Sequence, residues 1–149
     1  MIRNKRGLFN YSIESSYEAG IVLTGGEVKS IRSSHMTIHE SYGKIEKGEV
    51  WLYNLHIVKS VSDSSEWETL RKRKLLLHKR EIRKITHLIN INPSSTIVPI
   101  KFFFQRGKIK VEIAIGIGKK KYDKRETIKK RDINRSLQEK LKKSITKFN

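Results

Sequence analysis

The chain has no cysteine, which excludes disulfide bonds and thiolate metal sites and suits a reducing compartment such as the cytoplasm. It has no run of about 20 apolar residues, so no transmembrane helix is expected. The start, MIRNKRGLFN, lacks an apolar core segment, and a secretory signal is not expected. Acids are scarce: 15 Asp and Glu stand against 33 Lys and Arg, a formal net charge of +18. Such a surface opposes its own compaction and is suited to meeting a polyanion, with nucleic acid as the expected partner. The 149 residues suffice for one domain with a proper core but not for two comfortable ones.

What is present is mostly strand-like. In Lys108–Ile115, Ile109, Val111, Ile113 and Ile115 share one face while Lys108, Lys110 and Glu112 share the other, the alternation of a half-buried strand. Gln105-Arg106-Gly107 reads as the turn before it, and TIVPIKFFF (96–104) as its partner. Pro99 can donate no ladder hydrogen bond, so an edge or bulge position is expected there. A second hairpin is written in residues 41–57, turning at Lys47-Gly48. Further strands are expected at Ala19–Thr24 and, more weakly, around Leu8–Ile13. Residues 78–90 place Ile82, Ile85, Leu88 and Ile89 on one helical stripe, and residues 25–32 read as a short helix with Val28 and Ile31 inward. Residues 58–68 read as a loop. The pattern favours a mainly β fold: a small closed antiparallel barrel with two or three packed helices and a basic C-terminal tail.

The tail begins at a composition boundary near Gly118. Residues 119–149 hold 13 Lys and Arg against 4 Asp and Glu, a net of +9, which is half of the excess charge. Ile128, Ile133, Leu137, Leu141, Ile145 and Phe148 are spaced mainly by four, and Asp123 with Glu126 resembles a capping arrangement. So narrow a stripe among charges makes a free helix marginal. The expectation is a domain over residues 1–118 and a tail over 119–149 that is disordered when free and ordered against a polyanionic surface.

Catalytic and metal chemistry finds little support. His35 and His39 are four apart, yet no third ligand stands near and the glutamate placement differs from that of a metalloprotease helix. No phosphate-binding glycine loop or nucleophile elbow occurs, and the run AIGIG (114–118) ends a strand without a dinucleotide fingerprint. The expectation is no enzyme, no cofactor and no metal. The run Arg71-Lys72-Arg73-Lys74 reads either as a solvated charge cluster or as a basic rim that fixes phosphate from a rigid element. Tyr122, isolated among charges, reads equally as a strand-end packing residue or as a platform for an unpaired base.

The stretches YEAGIVLTGGEVKSIR (17–32), RKRKLLLHKREI (71–82) and GKKKYDKRETIKKRD (118–132) together resemble the SsrA-binding protein family, also called small protein B. The likeness runs in register from NKRG (4–7) to about Arg135. The resemblance implies a closed barrel related to the OB-fold that grips the tRNA-like domain of transfer-messenger RNA near its elbow and D-loop, with no membrane partner and one protein monomer per RNA. It also implies a tail that enters the empty mRNA channel of a stalled 70S ribosome as a helix. By this resemblance Asn4, Glu18 and Leu76 match RNA-contact positions, Lys119 and Lys120 match the family's Gly-Lys-Lys, and Lys5, Lys29, Arg71, Arg73 and Lys74 complete the RNA set. Tyr122, Asp123, Lys124, Arg125, Lys129, Lys130 and Arg131 form the ribosome-contacting set, with Tyr122 at a position that stacks on ribosomal RNA. A general OB-like single-stranded RNA-binding or ribosomal protein is the alternative. Glu68-Thr69 replaces the family's Asp-Pro, and Phe9-Asn10-Tyr11-Ser12 replaces its His-Asp-Tyr-Phe, so the first-strand contacts and the nearby loop path depart from the pattern.

Overall fold

The computed structural model describes residues 1–59 and 67–147. The chain divides into two compact units, Met1–Gly118 and Lys119–Asn149. The first is mainly β. Its elements are β1 (Ile2–Arg3), α1 (Lys5–Asn10), β2 (Tyr11–Ile21), α2 (Gly25–Arg32), β3 (Met36–Thr37), β4 (Tyr42–Glu46), β5 (Glu49–Tyr53), β6 (His56–Ile57), β7 (Arg73–Leu76), α3 (Lys79–Ile91), β8 (Ser95–Gln105) and β9 (Lys108–Gly118).

Seven strands hydrogen-bond in the order β1-β8-β4-β5-β7-β2-β9, with β8 also paired to β9, and all pairs are antiparallel. The small pair β3–β6 stands apart. Both expected tight turns form. Lys47-Gly48 (φ 49° and 75°) and Arg106-Gly107 (φ 51° and 74°) place two consecutive residues in the left-handed region, the geometry whose twist matches flanking antiparallel strands. The ladder between β8 and β9 shifts register between Pro99 and Lys101, so Pro99 sits at the irregularity that its missing N–H called for.

The alternating positions deliver the core. Val50, Leu52, Leu75, Ile97, Phe102, Val111, Ile113 and Ile115 are buried together, and α3 adds Ile82 and Ile85 while α2 adds Ile31. Gly43 is directly opposite Ile97 where β4 meets β8. A Cβ on Gly43 would lie 2.5 Å from Ile97 Cγ2 and 2.7 Å from its Cβ. Gly43→Ala is therefore expected to lower stability by about 1–3 kcal/mol, as overpacking does. Urea denaturation would show this as a lower midpoint with an unchanged slope.

Several sequence expectations need correction. Leu8–Asn10 is not strand but the end of α1; the Asn4 side chain accepts from the Gly7 N–H at 2.9 Å and starts that helix, so the strand begins at Tyr11. Strand β2 ends at Ile21: the Val22 N–H still donates to the Lys74 carbonyl oxygen of β7 at 3.0 Å, but Leu23 leads out of the strand to Thr24, which caps α2. His56-Ile57 leaves the β4–β5 hairpin and pairs with β3. Of the stretch read as a loop, residues 60–66 lie outside the described residues, and neither Val58-Lys59 nor Trp67-Glu68 is helix or strand.

The second unit is one helix, α4 (Lys121–Lys147). It starts two residues before Asp123, so the Asp123–Glu126 pair lies inside the helix and not at its cap. Ile128, Ile133, Leu137, Leu141 and Ile145 are all exposed, by 44 to 65%. Phe148 lies outside the described residues. No helix among the described residues is long and apolar enough to cross a membrane.

Candidate nucleic-acid interface

The four cations of the 71–74 run have four different surroundings. Strand alternation turns Arg73 inward and Lys72 and Lys74 outward. Arg73 is fully buried, and its guanidinium donates to Glu27 and to the Leu55 carbonyl oxygen at 2.6 Å. Arg71 donates through Nε to the same carboxylate at 2.9 Å, and its NH2 group also reaches it. Glu27 is itself fully buried and closes a capping box with Thr24. Burial alone would push the Glu27 carboxyl up. The hydrogen bonds and positive charge of Arg71 and Arg73 outweigh that and hold it below the ordinary carboxylate value. This trio joins α2 to β7 and the loop before it.

Lys72 and Lys74 face solvent. The Lys72 ammonium lies 2.9 Å from Glu46 Oε2 and 4.7 Å from the Trp51 ring centroid. Glu46 also accepts from the Tyr53 hydroxyl, whose ring stacks on Tyr42 with centroids 5.6 Å apart. Lys74 stands 3.6 Å from Glu49. Of the whole run, Lys74 is the member that enters the groove described next.

That groove, of about 1240 Å³, runs between β2, β7, the start of α3 and the β8–β9 turn. Glu18, Lys74, Leu76, Lys84, Lys108 and Lys110 are among its lining residues. Leu76 is 52% exposed, an apolar side chain held open in a cationic rim. Glu18 is exposed and stands directly opposite Glu112 across β2–β9. Like charges in that register are unfavourable. Glu112 has Lys101 at 3.0 Å, whereas no ion pair of Glu18 is found among the described residues. An unpaired acid and an uncovered leucine, 58 residues apart in sequence, thus share one basic groove.

Two of the expected RNA-contact residues, Asn4 and Arg73, are buried. Asn4 is fully buried; besides capping α1 it donates to the Pro99 carbonyl oxygen at 2.9 Å, so it latches α1 onto β8 and presents nothing to a ligand. Arg73 is likewise inaccessible behind Glu27. Lys5 and Lys29 are exposed but are not groove-lining residues. In the tail unit, Lys119 donates to the Thr127 hydroxyl at 3.2 Å and Lys120 is exposed. Lys124 is half-buried, while Arg125, Lys129, Lys130 and Arg131 are exposed along α4. Tyr122 and Asp123 lie in its first turn, with side chains outside the described residues. Sequence reading missed Lys84, Lys108 and Lys110 as groove residues. The polar-face alternation of β9 was the signal available for the last two. Among the described residues no group of three or more His, Asp or Glu is arranged to hold a metal, and His35 and His39 flank β3 instead of sharing a helix face.

The sequence profile of the family described as SmpB protein matches residues 1–143. The chain belongs to the SmpB family. It is 45% identical over 141 residues to the SsrA-binding protein of Trichodesmium erythraeum (strain IMS101), covering 93% of this chain and 90% of that protein. To the SsrA-binding protein of Persephonella marina (strain DSM 14350 / EX-H1) it is 46% identical over 143 residues, covering 95% and 93%. Among solved structures it is similar to a chain from "tmRNA-SmpB: a journey to the center of the bacterial ribosome", with 37% identity and a TM-score of 0.67 over 85% of this chain and 93% of that one. The mainly β architecture with packed helices is thus that of an SmpB structure.

Proposed function

We propose that this SmpB-family chain is a cytoplasmic RNA-binding adaptor, not an enzyme, that binds the tRNA-like domain of transfer-messenger RNA and delivers it to stalled ribosomes for trans-translation. The observation that carries the reading is the groove in which Glu18 and Leu76 meet among lysines. Lysines supply phosphate attraction without sequence preference, whereas a carboxylate rejects misplaced phosphates and accepts from base amino or 2′-OH groups. The sheet is read as a closed barrel related to the OB-fold. Supporting this, the pairings run β8-β4-β5-β7-β2-β9 and β9 pairs again with β8, so each of these six strands has a hydrogen-bonded neighbour on both sides, although β4 meets β8 only at Gly43 and Ile97. Residues 1–118 act as the RNA-gripping body. The apolar stripe of α4 is exposed, so we read residues 119–149 as a marginal helix that gives way to disorder in the free protein and is held helical in the empty mRNA channel, where Lys and Arg release counterions from ribosomal RNA.

Glu18→Ala separates a fitted site from general charge attraction. It raises the net charge, so pure electrostatics predicts tighter binding. A lost hydrogen bond to a charged group is worth about 1.5–3 kcal/mol, so the expected result is roughly tenfold or more weaker binding of the tRNA-like domain. Unchanged or tighter binding in a titration at fixed salt would overturn the groove assignment.

A further inference from the structure

Helix α3 carries a charge pattern that its own stability does not require. Opposite the buried Ile82 and Ile85, the exposed residues Arg80, Arg83, Lys84 and His87 follow at intervals of three and four, which makes them neighbours on one face. No ion pair found among the described residues includes any of them. Glu81 is the one acid on the helix. Arg80 and Lys84 are like charges at i and i+4, a destabilising spacing. Lys79 and Arg80 also occupy the first turn, at the positive end of the helix dipole, while the last turn, where cations are favoured, has none. The N-terminus is open as well: His78 makes no side-chain cap hydrogen bond.

The position of α3 gives this pattern a use. His78, Lys79 and Lys84 line the groove that holds Glu18, Lys74 and Leu76, so the cationic face continues from the groove wall over the outside of the helix. We propose that Arg80, Arg83 and Lys84 form a second phosphate-contact surface, gripping the sugar-phosphate backbone of the same RNA that occupies the groove. The proposal rests on the RNA-binding reading above and adds to it the element that anchors the RNA beyond the groove. A polyanion along this face relieves the like-charge repulsion and the unfavourable dipole placement together, which no contact within the described residues does.

The test is the triple variant Arg80→Gln, Arg83→Gln, Lys84→Gln, since glutamine keeps helix propensity. Binding of the isolated tRNA-like domain would be measured against salt. The expected result is a log–log slope shallower by about 2, from about 0.7–0.9 per phosphate contact, with roughly tenfold or more weaker binding at low salt. Arg32→Gln, Lys44→Gln, Lys47→Gln removes the same charge from exposed positions elsewhere and should leave the slope near wild type. The thermal midpoint of the free α3 variant should equal or exceed wild type, because repulsion is removed. Arg83→Gln alone, with a slope change of under 1, covers the case in which the triple variant unfolds. Equal slopes for wild type and both α3 variants overturn the proposal, as does a deficit seen only when a preformed complex binds ribosomes. If wild type itself shows no preference for the tRNA-like domain over an unrelated hairpin, the groove reading fails instead.

Discussion

Glu27→Ala is expected to lower the stability of the 1–118 unit by about 3–5 kcal/mol, because it leaves the buried guanidinium of Arg73 without its counter-charge. The reciprocal half of the capping box, from the Thr24 N–H to the Glu27 carboxylate, is lost as well, while the Thr24 hydroxyl still accepts from the residue-27 N–H. Removing one partner of a buried ion pair is costly because the other remains desolvated, not because the pair itself contributes so much. Replacing both together, Glu27→Leu with Arg73→Met, should therefore recover a large part of the loss. Urea midpoints of the three proteins check this, and a double variant no better than Glu27→Ala would show that the hydrogen bonds to Leu55 and Thr69 dominate. The sign of the pH dependence follows from the same site. The Glu27 carboxyl is held below its ordinary value, so its contribution is complete above the usual carboxylate range. It is lost as pH falls through the lowered folded value. Glu27→Gln should flatten that part of the acid limb.

Deleting residues 119–149 is expected to abolish peptide tagging on stalled ribosomes while leaving affinity for the tRNA-like domain within about tenfold of full length. The deletion removes half of the excess charge, so the salt slope of RNA binding should also become shallower. The groove with Glu18, Lys74 and Leu76 is built entirely from residues before Gly118, so it persists in the shortened protein. A reconstituted tagging reaction beside a binding titration measures both effects. Tagging at the normal rate would contradict the division of labour, and complete loss of RNA binding would place the grip in the tail instead.

The legible parts of this fold are those set by neighbours in sequence. The polar face of β9, the two X-Gly turns and the Pro99 irregularity follow from alternation and backbone freedom alone. Which members of the Arg71–Lys74 run turn inward is not legible locally, because it depends on Glu27, which lies on α2, 46 residues from Arg73. The signal was present in Thr24-Gly25-Gly26-Glu27, a capping-box spacing that also marks a carboxylate directed at the protein. Asn4 was placed on the RNA because its motif matches the family, yet its amide is consumed by Gly7 and Pro99. The resemblance singles out Glu18 and Leu76 separately; that they line one groove is a consequence of β2 pairing with β7 through Gly20 and Leu76. No local pattern encodes that pairing.

Sequencing the RNA that co-purifies with the full-length protein from its own cells tests the central claim most directly. Transfer-messenger RNA should dominate, and Glu18→Ala should reduce its share relative to other transcripts. A broad spread of RNAs, unaltered by that substitution, would contradict a fitted site and leave only a basic surface.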